Sequence, residues 1–258
     1  GGIVIGSLIS KFMTDFGMGW QMQMWVLMIP TLIYAFLFFG KAFPKPTVEG
    51  VTSISSNLKA MFSPVFIFLF FCMALTAISE FGPQQWVNVF MSESGASGML
   101  ILALTTGIMA VGRFFAGPVV KTLGQTGVLL GGAIFATIGI YMFSTVTGPM
   151  AYLAAVVFAI GVCYFWPVMV GAVAQRVPLS GALGMSIIGG VGMFSTAIFQ
   201  PIIGKWIDTA RAIHDTDLLA GQATLLKMVM FPAILIVLFT IFFIWQKNSK
   251  VAASDAAH

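Results

Sequence analysis

The chain has 258 residues, of which 59% are hydrophobic and only 8% are charged. Soluble proteins carry about 25% charged residues, so a water-soluble globule is excluded, because too few ionisable groups are available to solvate its surface. The net charge of +4 comes from basic residues scattered singly between apolar stretches, which argues against a nucleic-acid-binding protein. The two cysteines, Cys72 and Cys163, lie inside apolar runs and indicate neither a disulfide framework nor a metal cluster.

Uncharged runs of helical length predict an all-α, polytopic membrane bundle. A bilayer core of about 30 Å needs roughly 20 apolar residues per helix. Seven complete spans are predicted at 16–40, 64–91, 94–112, two within 122–175 on either side of a turn at 145–149, 177–204 and 228–246. The apolar residues 1–12 are too few to cross a bilayer. They predict the end of a helix whose beginning precedes this chain, which would then be a fragment.

The basic residues predict the orientation of the chain in a cell (inner or plasma) membrane, because Lys and Arg accumulate in cytoplasmic loops. One set of alternate connections contains eight of them: Lys41, Lys45, Lys59, Arg113, Lys121, Arg176, Lys247 and Lys250. The opposite set contains four: Lys11, Lys205, Arg211 and Lys227. The C-terminus is therefore predicted to be cytoplasmic. The predicted organisation is the end of a first bundle at 1–40, a cytoplasmic linker at 41–61, a six-helix bundle at 62–247 and a cytoplasmic tail at 248–258.

Two runs of residues resemble the second half of a major facilitator superfamily transporter. The run from Gly112 to Gly124 (GRFFAGPVVKTLG) is similar to the signature loop between the second and third helices of that half, with Lys121 where the family commonly has an acid. The run 189–208 (GGVGMFSTAIFQPIIGKWID) looks like the eleventh helix of many members. The resemblance implies two bundles that rock around a central site, the first of them largely missing here. It also implies a gating role for these residues: Gly112, Arg113, Gly117, Pro118 and Asp208.

Glu80 is the one acid inside a hydrophobic span. A carboxylate there is costly unless it is neutralised, paired or in contact with water, so intramembrane acids usually have a function. We expect Glu80 to couple transport to an ion, with a proton as the specific hypothesis and Na⁺ as the other coupling ion. The structural alternative is an acid near the outer helix end that pairs with a base such as Lys205.

Polar and aromatic side chains near Glu80 form the predicted substrate site. Thr76, Glu80, Gln84 and Asn88 share one helical face, Gln85 lies beside it, and Pro83 loosens the helix. Amides bind hydroxyl groups, and aromatic planes can stack on a sugar ring. The substrate-binding candidates are Gln84, Gln85, Asn88, Tyr164, Trp166, Thr196 and Gln200, with Trp86 ranked just below them. Interhelical hydrogen bonding by the amides and ordinary packing by the aromatics are the alternatives.

These observations favour a secondary active transporter, specifically a symporter, that moves a small polar solute, with a sugar as the preferred class. The absence of a basic residue at mid-span argues against an anionic substrate, and the lack of a nucleotide-binding loop indicates an ion gradient as the energy source. No cofactor or metal is expected. An integral-membrane enzyme using Asp208, Asp215 and Asp217, or a passive channel, is the alternative. Glycines at 127 and 131, and at 189, 190 and 192, predict close helix packing.

Overall fold

The computed structural model of the chain describes Gly6, Ile9, Phe12, Met13 and residues 15–41 and 54–255, without the side chains of 27, 88, 92, 93 and 248–255. The predicted partial helix at 1–12, most of the predicted linker and the last residues of the tail therefore lie largely outside the described residues. The chain divides into two compact units, Gly1–Val51 and Thr52–His258.

The first unit contains one helix of membrane-spanning length, α1 (Trp20–Phe38), which lies inside the span predicted at 16–40. It carries no charged residue, and its large apolar side chains, such as Phe36, are exposed. A helix that is apolar on all sides suits a lipid environment. Pro30 lies inside the helix without ending it, as membrane helices tolerate.

The second unit is a bundle of helices around a continuous apolar core. Its elements are α2 (Ile54–Met61), α3 (Pro64–Glu93), α4 (Gly98–Phe114), α5 (Ala116–Phe143), α6 (Met150–Val162), α7 (Phe165–Arg176), a 3₁₀ turn (Pro178–Ser180), α8 (Gly181–Arg211), α9 (Asp217–Met228) and α10 (Met230–Asp255). Large buried side chains, among them Phe90, Phe143 and Phe239, fill the core. α3 packs along α8, and α5 packs against α6 and α10.

Among the described residues, six helical stretches are long and apolar enough to cross a membrane, which confirms the predicted all-α membrane bundle. They are Trp20–Phe38, Pro64–Met91, Ala116–Phe143, Met150–Arg176, Pro178–Arg211 and Asp217–Lys247. The stretch predicted at 94–112 corresponds to α4, an apolar helix of 17 residues, or about 26 Å of helical rise. The last span begins at Asp217 rather than at the predicted residue 228, because α9 leads almost directly into α10.

Hydrogen-bonding side chains fix where the helices begin. Ser63 accepts a hydrogen bond from the Phe66 amide at the start of α3, where Pro64 occupies the first helical position. Ser97 and Thr216 cap α4 and α9 in the same way. Such caps satisfy amides that have no partner inside the helix, and proline is tolerated in the first turn.

The run that resembles the signature loop is largely helical in the structure. α4 ends at Phe114, the chain is helical again from Ala116, and a second interruption lies at Gly124, whose φ is 70° and ψ 160°. Pro118 lies in the first turn of this helix, where its missing amide costs no hydrogen bond. The positive φ favours glycine at 124. The run therefore contains two breaks in the helix, one at Phe115 and one at Gly124.

Glycines allow α5 and α6 to approach closely. They are not the glycines at which the sequence predicted close helix packing. A Cβ atom on Gly139 would lie 2.5 Å from Cα of Phe158, and one on Gly161 would overlap the backbone of Ala136. By contrast, a Cβ on Gly131 would meet nothing within 4 Å, and one on Gly127 would only touch its own neighbour Leu123. The prediction of close packing at Gly127 and Gly131 is therefore wrong, whereas Gly192 does lie tightly against Trp166.

We expect Gly161→Ala to destabilise the bundle, because the added methyl group meets backbone atoms that cannot move independently. Overpacking of this kind costs about 1–3 kcal/mol. Thermal unfolding of the detergent-solubilised protein measures the effect, and Gly131→Ala is the matched control because open space surrounds that position. Equal melting temperatures for the two variants would contradict the close approach of α5 and α6.

Candidate functional site

Glu80 and Arg113 form an ion pair inside the bundle. A guanidinium Nη2 atom of Arg113 lies 3.3 Å from Oε1 of Glu80. The glutamate side chain is only 4% exposed, whereas the arginine side chain is 41% exposed. The pair therefore joins a buried carboxylate on α3 to a cation on α4 that remains accessible from outside the core.

The two partners lie at a similar distance from the connection between α3 and α4, which explains how they meet. Glu80 lies about 20 Å of helical rise from the end of α3 at Glu93, and Arg113 lies about 22 Å from the start of α4 at Gly98. Because the two helices are joined by a short connection at these ends, the side chains reach the same depth. The partner of Glu80 is therefore Arg113, in the last turn of α4, rather than Lys205.

Arg113 also binds a break in the span Met150–Arg176. α6 ends at Val162 and α7 begins at Phe165, because Pro167 has no amide to donate to the carbonyl of Cys163, four residues earlier. The Nε of Arg113 donates to this carbonyl at 2.9 Å. One guanidinium thus connects the carboxylate of α3 with the interrupted helix.

Tyr164 strengthens the same contact between helices. Its hydroxyl donates a 2.9 Å hydrogen bond to the carbonyl of Gly112. A Cβ atom on Gly112 would lie 2.6 Å from Sγ of Cys163, so glycine is needed for this approach. Tyr164 was expected to bind substrate, but its hydroxyl here holds α4 against the helix break.

The second oxygen of Glu80 has no hydrogen-bond partner in the part of the chain that the structure describes. Oε2 is buried and accepts no hydrogen bond from any described residue. A buried carboxylate oxygen without a donor is costly, so it is a natural position for a proton or for a polar group of a bound solute. This orphaned atom is the clearest chemical feature of the site.

A second polar contact lies further along α3, where it packs against α8. Nε1 of Trp86 donates to Oε1 of Gln200 at 2.8 Å, and Nε2 of Gln200 donates to the carbonyl of Phe81 at 3.1 Å. The ring of Trp166 meets that of Phe81 edge to face, with centroids 6.0 Å apart. Gln200 of α8 and Trp166 of α7 therefore both contact the segment of α3 that contains Phe81 and Trp86.

The remaining substrate candidates are less concentrated. Gln84 is half-buried and approaches Sδ of Met109 at 3.5 Å, whereas Gln85 is exposed. The Thr196 hydroxyl donates to the Gly192 carbonyl of its own helix. The side chain of Asn88 lies outside the described residues.

The predicted gating residues do not form one cluster. Gly112 and Arg113 belong to the contact around Glu80, while Gly117 and Pro118 lie at the start of α5. Asp208 is exposed near the end of α8.

The sequence thus indicated Glu80 and Arg113 separately but not their pairing, and it missed the carbonyl of Cys163. Pro167 was the available signal, because a proline inside a helix frees the carbonyl four residues before it.

Comparison with known proteins gives one match. A family model described as Major Facilitator Superfamily matches residues 1–185. This range contains the run 112–124 and ends before the run 189–208, so the second resemblance is not tested by it. Neither the curated proteins nor the solved structures give a match to the chain.

Proposed function

The chain belongs to the major facilitator superfamily, and from this we propose that it is a secondary active transporter in which protonation of Glu80 is coupled to the movement of a small polar solute. Membership supports a multi-pass membrane transporter with a small-molecule substrate. The observation that carries the finer proposal is the buried carboxylate of Glu80, which pairs through one oxygen and has no partner for the other among the described residues.

A proton suits this carboxylate better than Na⁺. Sodium needs several oxygen ligands, whereas the described neighbour at 3.3 Å is the guanidinium of Arg113, which repels another cation. A proton on Oε2 needs no such shell, and it removes the charge that attracts Arg113. Proton binding would therefore loosen the contact between α3, α4 and the break at Cys163.

A neutral, hydroxyl-rich solute such as a sugar is the favoured substrate. The charges of Glu80 and Arg113 offset each other, so the site has no net charge to attract an anion. The indole of Trp166 and the amide of Gln200 lie beside the stretch of α3 that carries the indole of Trp86. Such groups bind the faces and hydroxyls of sugars. Gln84 is the nearest further amide on that helix.

The proposed orientation follows the basic residues. The C-terminus faces the cytoplasm, residues 1–40 end the first bundle, and residues 62–247 form the second, with 41–61 as a cytoplasmic linker. Gly112, Arg113, Gly117, Pro118 and Asp208 act at the ends and contacts that change as the bundles rock. Tyr164 takes part through its bond to Gly112.

Counterflow in proteoliposomes tests the transport proposal. Vesicles loaded with an unlabelled monosaccharide are expected to take up the same labelled sugar faster than empty vesicles, because a carrier reorients more readily with substrate bound. A pore gives no such trans-stimulation. The measurement uses a panel of labelled monosaccharides; uptake that is equal in loaded and empty vesicles would contradict the carrier mechanism.

An ion pair at the outer loop weakens the alternative that the protein is an integral-membrane enzyme. Asp217, one of its three candidate acids, forms a two-pronged pair with Arg211 at 2.8 and 3.0 Å. Both of its oxygens are thus engaged by a cation. Loss of function on changing Asp208 or Asp215, with none on changing Glu80, would favour the enzyme.

A further inference from the structure

The strongest unassigned feature is a basic cleft at the end of the bundle where α10 leaves the spanning region. The cleft has a volume of about 250 Å³ and is lined by residues 123–127 of α5 and by Phe243, Gln246 and Lys247 of α10. Lys247 is also the last residue of the span Asp217–Lys247. A membrane crossed by this span would have its lipid headgroups at the level of the cleft.

A partly buried cation lies behind the wall of this cleft. Nη2 of Arg176 donates to Oγ1 of Thr126 at 3.2 Å and to Oε1 of Gln246 at 3.0 Å. Its guanidinium carbon lies 4.6 Å from the centre of the Phe242 ring. All these partners are neutral, and no carboxylate on a described side chain pairs with Arg176.

The positive charge is thus uncompensated within the described part of the chain. Nε of Arg176 is buried and has no hydrogen-bond partner there, and a buried charge normally has a counter-charge nearby. Lys247 adds a second cation on the cleft wall. The helix that restarts after Gly124 adds backbone amides without intrahelical partners, at the positive end of its dipole. All three features favour an anion.

The other wall of the cleft is apolar and faces outward. Leu123 and Phe243 line it, and both are exposed, at 60% and 43%. A ligand that joins an anionic group to hydrocarbon would match both walls, whereas a free anion would match only the basic one. Basic pockets between membrane helices at the cytoplasmic side bind lipid headgroups in this way.

We infer that this cleft binds the phosphate group of an anionic phospholipid from the leaflet next to Lys247. Lys247, Gln246 and the amides of 126 and 127 contact the phosphate, and Arg176 supplies charge from behind them. The acyl chains lie along Leu123 and Phe243. This site is separate from Glu80 and does not depend on the substrate.

Lipid binding by the purified full chain tests the inference. Native mass spectrometry with added phosphatidylglycerol or phosphatidylcholine is expected to give a tighter complex with phosphatidylglycerol. Removing the charge in Lys247→Gln or Arg176→Gln is expected to raise the dissociation constant of phosphatidylglycerol about fivefold. Lys59→Gln, which removes an exposed lysine from α2, is the matched control and should leave this constant unchanged.

The possible results distinguish a lipid phosphate from free phosphate, and they also test whether the cleft is the binding site. Stabilisation by phosphatidylglycerol of about 3 °C in thermal unfolding, lost in Lys247→Gln, would support the lipid site. The same shift produced by sodium phosphate alone would overturn the lipid as the ligand. Equal binding of the two lipids, or equal binding by wild type and Lys247→Gln, would overturn the inference. Because Lys247 is exposed, its replacement should not prevent folding.

Discussion

Glu80→Gln is expected to abolish uphill accumulation of the substrate in proteoliposomes while leaving exchange intact. The amide keeps the size of the side chain but cannot bind and release a proton. With one proton per solute, a pH difference of one unit can support about tenfold accumulation. The variant should instead stop at equal concentrations on both sides. Labelled uptake under an imposed pH gradient measures accumulation, and counterflow without a gradient measures exchange.

A variant at a second acidic residue controls for the loss of a negative charge itself. Asp215→Asn removes a carboxylate from the exposed outer loop, where the side chain lies in solvent, and should accumulate substrate like the wild type. Tenfold accumulation by Glu80→Gln would exclude this carboxylate from proton coupling. Loss of both accumulation and counterflow would point instead to a role in binding the solute or in holding the helices.

The helical architecture could be predicted because the bilayer restricts the choices. An uncharged run of spanning length must satisfy its backbone internally, which leaves the helix as the natural conformation. The start of the span at Pro64 was predicted to the residue, and the structure adds that Ser63 caps the helix. Composition alone was enough for this level of the fold.

The details within the helices depended on neighbours that the sequence does not identify. Gly131 and Gly161 look alike in sequence, yet only Gly161 is pressed against a backbone, that of Ala136. Gln200 was expected to bind substrate, but its amide is engaged by Trp86 and Phe81. Spacing along one helix indicates which face a residue shares, but not which partner lies opposite that face.

The pairing of Glu80 with Arg113 was hidden for a similar reason. Arg113 follows an uncharged run, so it resembled a residue at the membrane surface. Only the shared depth of α3 and α4, measured from their common connection, brings the two charges together. The need for a partner could be inferred from Glu80 alone, but only the three-dimensional structure identifies that partner.

Arg113→Gln is expected to destabilise the bundle by about 1–3 kcal/mol, because it leaves a buried carboxylate without its cation and the Cys163 carbonyl without its donor. In the double variant with Glu80→Gln, no buried charge remains unpaired. Its loss of stability should therefore be smaller than the sum of the two single losses, by about 0.5–3 kcal/mol. Thermal unfolding of the four proteins in one detergent gives this coupling energy.

The pair between Arg211 and Asp217 provides the matched control for Arg113. Its shorter contact of 2.8 Å joins side chains that are 42% and 40% exposed, so water screens it and Arg211→Gln should cost less than about 1 kcal/mol. Burial, rather than distance, then decides which pair matters. A coupling near zero between Glu80 and Arg113 would show that their proximity carries no energy, and it would remove the mechanical link from proton binding to the helix break. A large coupling energy between Glu80 and Arg113, together with intact exchange by Glu80→Gln, would indicate that this ion pair acts in the transport step that proton binding controls.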